Sequence, residues 1–231
     1  MNTEKNEVLT ALTKGVIGMV PVIGPIVAEI VGVLVPNQRI QRIELLLKKL
    51  ESKLEHLDTE TIKGLMTAPE AIDLMEDGFL QASKAISEER KEYIASLLKN
   101  GLTDKTLQHI EYKRLISILG ELNDLEVIIL KSHLLHPSFP ESAEFWEKHE
   151  KALTPPLAHL GSSQEEIDKE TIYKSHNIHL TNLGLIKPRF SKPRKGELPD
   201  FDDKTGMMKA SGYNITNLGD LLLRSIDQVG P

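Results

Sequence analysis

Two histidine pairs, His133 with His136 and His176 with His179, stand three residues apart, a helical spacing that lets two imidazoles share a metal ion. Neither pair has a third ligand beside it, and histidines near helix ends more commonly cap the helix or face water, so no metal is expected. Asp200, Asp202 and Asp203 gather three carboxylates, yet they lack the loop glycine and terminal glutamate of a calcium hand and read as a solvated acidic loop. Just ahead of them Lys187, Arg189, Lys192, Arg194 and Lys195 follow one another with no acid between, the composition of a loop that grips phosphate. No phosphate-binding loop, dinucleotide glycine fingerprint, Gly-x-Ser-x-Gly elbow or His-Glu-x-x-His helix occurs. The expectation is a protein with no catalytic residues, no cofactor and no metal, acting by binding.

Composition narrows the rest. The chain has no cysteine, which excludes disulfides, thiolate zinc sites and cysteine nucleophiles and fits a reducing, cytoplasmic setting. A net charge of −6 argues against nucleic-acid affinity over the whole surface, so any such binding must be local. Aromatic residues make up only 4% while aliphatic ones abound, which suits helices packed through aliphatic stripes. At 231 residues the chain has room for two modules.

The element most unlike an ordinary soluble domain is residues 15–35, GVIGMVPVIGPIVAEIVGVLV, twenty-one residues with the single charge Glu29. About 20 helical residues span a bilayer core, but Pro21 and Pro25 each remove a backbone donor and break the run into a kinked pair or hairpin. Gly15, Gly18, Gly24 and Gly32 let the two pieces approach closely. The same residues serve a hairpin buried in a soluble core, a segment that enters a membrane when triggered, or a standing anchor; a secretory leader is disfavoured by Glu29 and the lack of a small-x-small cleavage site. Arg39 and Arg42, directly beyond it, can meet anionic headgroups or simply form the polar face of a bundle helix.

Helical periodicity organises the remainder of the chain. Asn37 is read as the cap of a long helix with Ile40, Ile43, Leu47, Leu50, Leu54 and Leu57 as its seam. Asp58 opens a short helix to Met66, Pro69 opens another carrying Ile72, Met75, Phe79, Ala82 and Ile86, and Ser87 opens one that Gly101 stops. The N-terminal module, 1–101, is thus a helical bundle with an apolar hairpin. The second, 102–231, starts with a helix capped by Thr103 or Asp104, bearing Leu107, Ile110, Leu115 and Ile118 and ended by Gly120. A second helix, residues 122–135, comes next. Residues 138–163 form a Pro- and Ser-rich surface insert with one short helix near 141–153. A helix over 164–183 closes at Gly184, Leu185 and Ile186 pair with residues 213–216 as short strands, and residues 218–226 form the last helix. The fold class is mainly α, a helical bundle followed by a winged-helix-like module with a small β-hairpin.

The run Asn182-Leu183-Gly184-Leu185-Ile186, a polar loop, and then Tyr213-Asn214-Ile215-Thr216-Asn217-Leu218-Gly219 resemble the closing pattern of bacterial abortive-infection alpha proteins, whose final helix is preceded by "LGLI", a loop and "Y.lT.lG". The likeness covers roughly the last 125 residues and is shared with winged-helix domains. Residues 15–36 depart from that family and resemble bacterial proteins with an apolar Pro/Gly hairpin. The resemblance implies a phage-defence role, and the departure leaves the effector mechanism open; the apolar hairpin with its basic flank gives membrane lipid as the expected partner on activation, beside a protein partner or a second copy of the chain. The rival is a cytosolic winged-helix adaptor or nucleic-acid-binding regulator, using the five cations of 187–195 and a recognition helix carrying Lys169, Lys174, His176 and His179. Against it, Glu165, Glu166, Asp168 and Glu170 load that helix's start with the charge of the phosphates it would meet.

Overall fold

A computed structural model describes residues 39–159, 161–201 and 206–229. Among them the chain is mainly helical, with nine α-helices and one antiparallel pair of strands. Contacts divide it into two compact units, one running to Leu122 and resumed from Arg224, the other from Asn123 to Leu223.

In the first unit, α1 (Ile40–Leu54) keeps the expected seam from Ile43 to Leu54: Ile43, Leu47, Leu50 and Leu54 are buried, joined by Leu46, while Leu57 falls beyond the helix end and is only half-buried. Each such side chain contributes roughly 1.5–3 kcal/mol on leaving water. The helix begins later than expected, with Arg39 at its cap and no side-chain cap bond, and Asn37 lies outside the described residues. Asp58 caps α2 (Thr59–Met66) by accepting from the Thr61 amide at 2.9 Å, Pro69 opens α3 (Pro69–Lys84), and Ser87 caps α4 (Glu88–Thr103) by accepting from the Arg90 amide at 3.1 Å. α4 packs on α1 and α3, and α5 (His109–Glu121) packs on α3 and α4.

Several sequence expectations change here. Ile86 does not join the α3 face: the helix ends at Lys84, leaving Ile86 in the link, 85% exposed. Gly101 does not stop α4 but lies inside it, where an added Cβ would come within 2.5 Å of Leu74 Cδ2 and 3.2 Å of the Tyr112 ring. Gly120 is likewise inside α5, pressed on the Gln81 amide. The α5 cap is Gln108 in a capping box with Glu111, while Asp104 terminates α4 and accepts from the Tyr112 hydroxyl at 2.9 Å. Because α5 buries Tyr112, Leu115 and Ile118 within the first unit, division by packing falls after Leu122, whereas composition and spacing place it after Gly101. The guanidinium of Arg90 caps the end of α5, donating to the Leu119 and Leu122 carbonyls at 2.8 and 2.5 Å.

The second unit contains α6 (Asp124–Ser132), a 3-10 turn at Pro140–Ser142, α7 (Ala143–Leu153) and α8 (Gln164–Asn182). It continues through β1 (Ile186–Arg189), β2 (Gly212–Ile215) and most of α9 (Asn217–Ser225). No residue of α7 is buried, in keeping with a surface insert. The strands pair Ile186 with Ile215 and Arg189 with Gly212. The glycines and threonine of the closing run have a mechanical reason. Gly184 turns the chain from α8 into β1 at φ +74°, a left-handed value that side chains resist. Thr216 Oγ1 donates to the Gly184 carbonyl at 2.7 Å and accepts from the Gly219 amide at 3.1 Å, capping α9.

Gly219 lets α9 lie against the backbone: an added Cβ would collide with the Leu185 carbonyl oxygen and come within 2.8 Å of Ile215. Gly219→Ala is expected to destabilise by about 1–3 kcal/mol through overpacking, although alanine outranks glycine in a helix by about 1 kcal/mol. Gly64→Ala in α2, where the added methyl meets nothing within 4 Å, is expected to stabilise by about 0.5–1 kcal/mol. Denaturant midpoints of the two variants should therefore move in opposite directions; a stabilising Gly219→Ala would contradict the close approach.

Candidate functional site

The chemistry-bearing side chains of the second unit sit on α6, α8 and the hairpin. α6 begins with a capping box in which Asn123 Oδ1 accepts from the Glu126 amide and Glu126 Oε2 accepts from the Asn123 amide, both at 2.9 Å. That geometry turns Glu126 inward, leaving it 3% exposed. Its other oxygen, Oε1, receives His176 Nδ1 at 3.1 Å and His179 Nδ1 at 2.9 Å from α8. Burial works against the Glu126 charge, but the Asn123 amide and the rings of His179 and His176 outweigh it and hold the carboxyl below its usual range. An ionised carboxylate only accepts, so both rings present Nδ1–H to it. One buried group thus opens α6 and clasps α8.

The pairing of His176 with His179 is legible in the sequence as a shared helical face; their partner, fifty and fifty-three residues earlier, is not. The Asn-x-x-Glu spacing of Asn123 and Glu126 is the available signal. His133 and His136 do not come together: the first lies against Tyr213 with ring centroids 6.1 Å apart, the second against Phe139 at 5.3 Å. Burial lowers the His133 pKa, with Asn177 partly offsetting it. Among the described residues no three His, Cys, Asp or Glu side chains are grouped to hold a metal ion.

The α8 residues read as a recognition surface are occupied within the fold. Lys169 pairs with Glu165 at 2.6 Å and Lys174 with Glu170 at 3.0 Å, each one turn apart, while both histidines face Glu126. Glu165, Glu166 and Asp168 are exposed on the first turns. The face that would enter a groove therefore carries carboxylates and neutralised lysines.

The hairpin differs. Lys187 and Arg189 lie on β1, and Lys192, Arg194 and Lys195 on the arm beyond it, all five exposed. The arm has its own backbone order: Ser211 N donates to Arg189 O at 2.8 Å, Glu197 N to Arg194 O at 2.9 Å around Gly196 at φ +92°, and Lys209 N to Asp200 O at 2.7 Å beside a Phe201–Met208 bridge. A half-open pocket of about 350 Å³ lies on the arm, lined by Ser191, Lys192, Leu198, Asp200, Met208 and Lys209 among others. Asp200 is exposed; Asp202 and Asp203 lie outside the described residues.

Of the membrane-facing candidates, Gly15, Gly18, Pro21, Gly24, Pro25, Glu29 and Gly32 also lie outside the described residues. Arg39 is exposed at the head of α1, and Arg42 Nη1 donates to the Ser83 carbonyl at 3.0 Å. Further along α1, Lys49 and Lys53 pair with Glu92 of α4 at 3.2 and 2.6 Å, and Lys53 also with Asp227 at 3.3 Å. Among the described residues no helix is long and apolar enough to cross a membrane. Comparison of the chain with family models, curated proteins and solved structures finds no match.

Glu126→Gln keeps the shape of the clasp and removes its charge. It is expected to destabilise the protein by about 1–3 kcal/mol at neutral pH, since two donors then face a weaker acceptor. A depressed carboxyl pKa stabilises the fold above its unfolded-state value and loses that contribution as pH falls through the folded value. The gap between wild type and variant should therefore narrow progressively as pH falls below the unfolded-state carboxyl value and through the lower folded one. Urea unfolding of both proteins over a series of pH values from neutral down into the acid range checks this, and a gap that stays constant across the whole series would remove the charge from the explanation.

Proposed function

We propose that this chain is a non-enzymatic bacterial phage-defence protein of abortive-infection type, cytoplasmic at rest, whose segment 15–35 enters the membrane on activation. The carrying observation is that segment: twenty-one residues with one charge, broken by two prolines, directly ahead of a cationic helix. Glu29 costs a few kcal/mol at mid-bilayer, which makes insertion conditional instead of spontaneous. The C-terminal part, three helices, a long-armed hairpin and a closing helix, is read as a winged-helix-like sensor that receives the trigger from a protein partner or a second copy. The basic flank is narrower than residue types alone imply. Arg39 is exposed, whereas Arg42 is half-buried with Nη1 on the Ser83 carbonyl, so Arg39 is the more accessible of the two to a headgroup.

The rival reading, a nucleic-acid-binding regulator, is favoured by the exposed cations of the arm and opposed by α8. A groove-reading helix puts its N-terminal residues against bases and phosphates. Here those residues are Glu165, Glu166 and Asp168, and the helix's lysines are paired with carboxylates.

Deleting residues 1–36 is expected to abolish both growth arrest after phage infection and dye release from vesicles, while Glu29→Ala should raise membrane association without a trigger. Cell fractionation before and after infection, read with a membrane-potential dye, checks this. A protein that stays out of the membrane fraction with the potential intact would leave the adaptor reading in its place.

A further inference from the structure

We propose that the hairpin arm, residues 187–201 with 206–211, is a docking surface for an anionic lipid bilayer, which the resting cytoplasmic protein touches weakly and reversibly before it is triggered. This rests on the membrane reading of the protein's function but uses a different part of the chain. The arm carries two kinds of side chain on one ordered scaffold. Lys187, Arg189, Lys192, Arg194, Lys195 and Lys209 are exposed cations. Between them stand Phe190 at 44% exposure, Leu198 at 87%, Phe201 at 52% and Met207 at 71%. Its described carboxylates are Glu197, which accepts from the Arg194 amide and so helps close the turn, and Asp200.

Cations alone fit any polyanion. Cations interleaved with large apolar side chains fit a surface that is charged outside and oily a few ångströms below, because headgroup phosphates meet the first while the acyl boundary takes the second. A nucleic-acid duplex takes Leu198 and Met207 only as wedges between base steps, at the cost of unstacking them, whereas the acyl boundary takes them directly. The charge is local as well: the whole chain carries −6, so an anionic membrane repels most of the molecule and attracts this arm, which fixes the orientation of approach. The backbone bonds along the arm order parts of its main chain before contact, reducing the backbone ordering that binding requires.

The test is flotation of the full chain with vesicles of phosphatidylcholine containing about 30% phosphatidylglycerol, in parallel with pure phosphatidylcholine vesicles and with a duplex DNA gel shift. Two arm variants accompany the unaltered protein: K192E/R194E/K195E and F190S/L198S. All five positions are exposed, and circular dichroism confirms the fold. The expected result is binding to anionic vesicles only, weakened about tenfold or more in each variant and falling steeply with salt. Deletion of residues 1–36 should leave this binding in place. Equal binding to neutral vesicles, or anionic binding unchanged in both variants, overturns the proposal. So does loss of a DNA shift in the charge variant while the apolar variant behaves as wild type, which identifies nucleic acid as the occupant. Vesicle leakage separates the two readings: leakage that needs residues 1–36 but ignores the arm variants leaves the membrane function standing without the docking surface, whereas arm-dependent binding with vesicles sealed under every trigger leaves docking standing without insertion.

Discussion

A carboxylate removed from water must be surrounded by donors, and in the second unit that requirement falls on Glu126. One oxygen closes the first turn of α6, and the other receives two imidazoles from successive turns of α8. Removing any of these donors leaves a buried charge undercompensated, a penalty larger than the net worth of an ordinary hydrogen bond. α8 is therefore pinned along its last turns, just before Gly184 reverses the chain into β1. What the hairpin presents depends on where α8 ends, and Thr216 secures the return by bonding the Gly184 carbonyl and capping α9.

The distribution of charge tells the functional surfaces apart better than the count does. The lysines of α1 face the acids of α4, Lys113 of α5 bridges Asp73 and Asp77 of α3, and the lysines of α8 face acids one turn earlier. Most of these pairs are partly exposed and individually weak. They neutralise parts of the helical faces, while exposed cations without an ion pair remain on the helices and the link after α4, among them Lys48, Lys84, Lys105 and Arg114, and the hairpin arm gathers five in the nine residues 187–195.

The parts of the fold legible in the sequence are those set by period and caps. The α1 seam, the caps at Asp58 and Ser87, Pro69 at the start of α3, the extent of α8 and the pairing of residues near 186 with those near 213 all rest on local rules. The departures share a cause. Gly101 and Gly120 read as helix stops, but glycine serves both a left-handed turn and a close helix approach, and only the neighbour, Leu74 or Gln81, distinguishes them. Ile86 and Ile110 continue an apolar period past points where the neighbouring helices no longer cover it, and both are exposed. The His176–His179–Glu126 clasp joins residues with no shared period, so one helix's spacing shows half of it. The resemblance carried by the closing motif is explained by its glycines and threonine as backbone mechanics, which many small hairpins need, and so speaks to fold more than to role.

In the mechanism proposed above, two membrane contacts of different depth would divide the work by physical kind. An arm of cations and a few apolar side chains binds at the headgroup level, where attraction is screened by salt and reversible. A segment of about twenty apolar residues reaches the hydrocarbon core, where Glu29 and two prolines oppose entry. Shallow docking raises the local concentration of the deep segment at the bilayer without supplying the free energy for its insertion. On that proposal a protein can reach the bilayer repeatedly without damaging it: approach depends on the cations and apolar side chains of the arm, and commitment depends on a separate trigger.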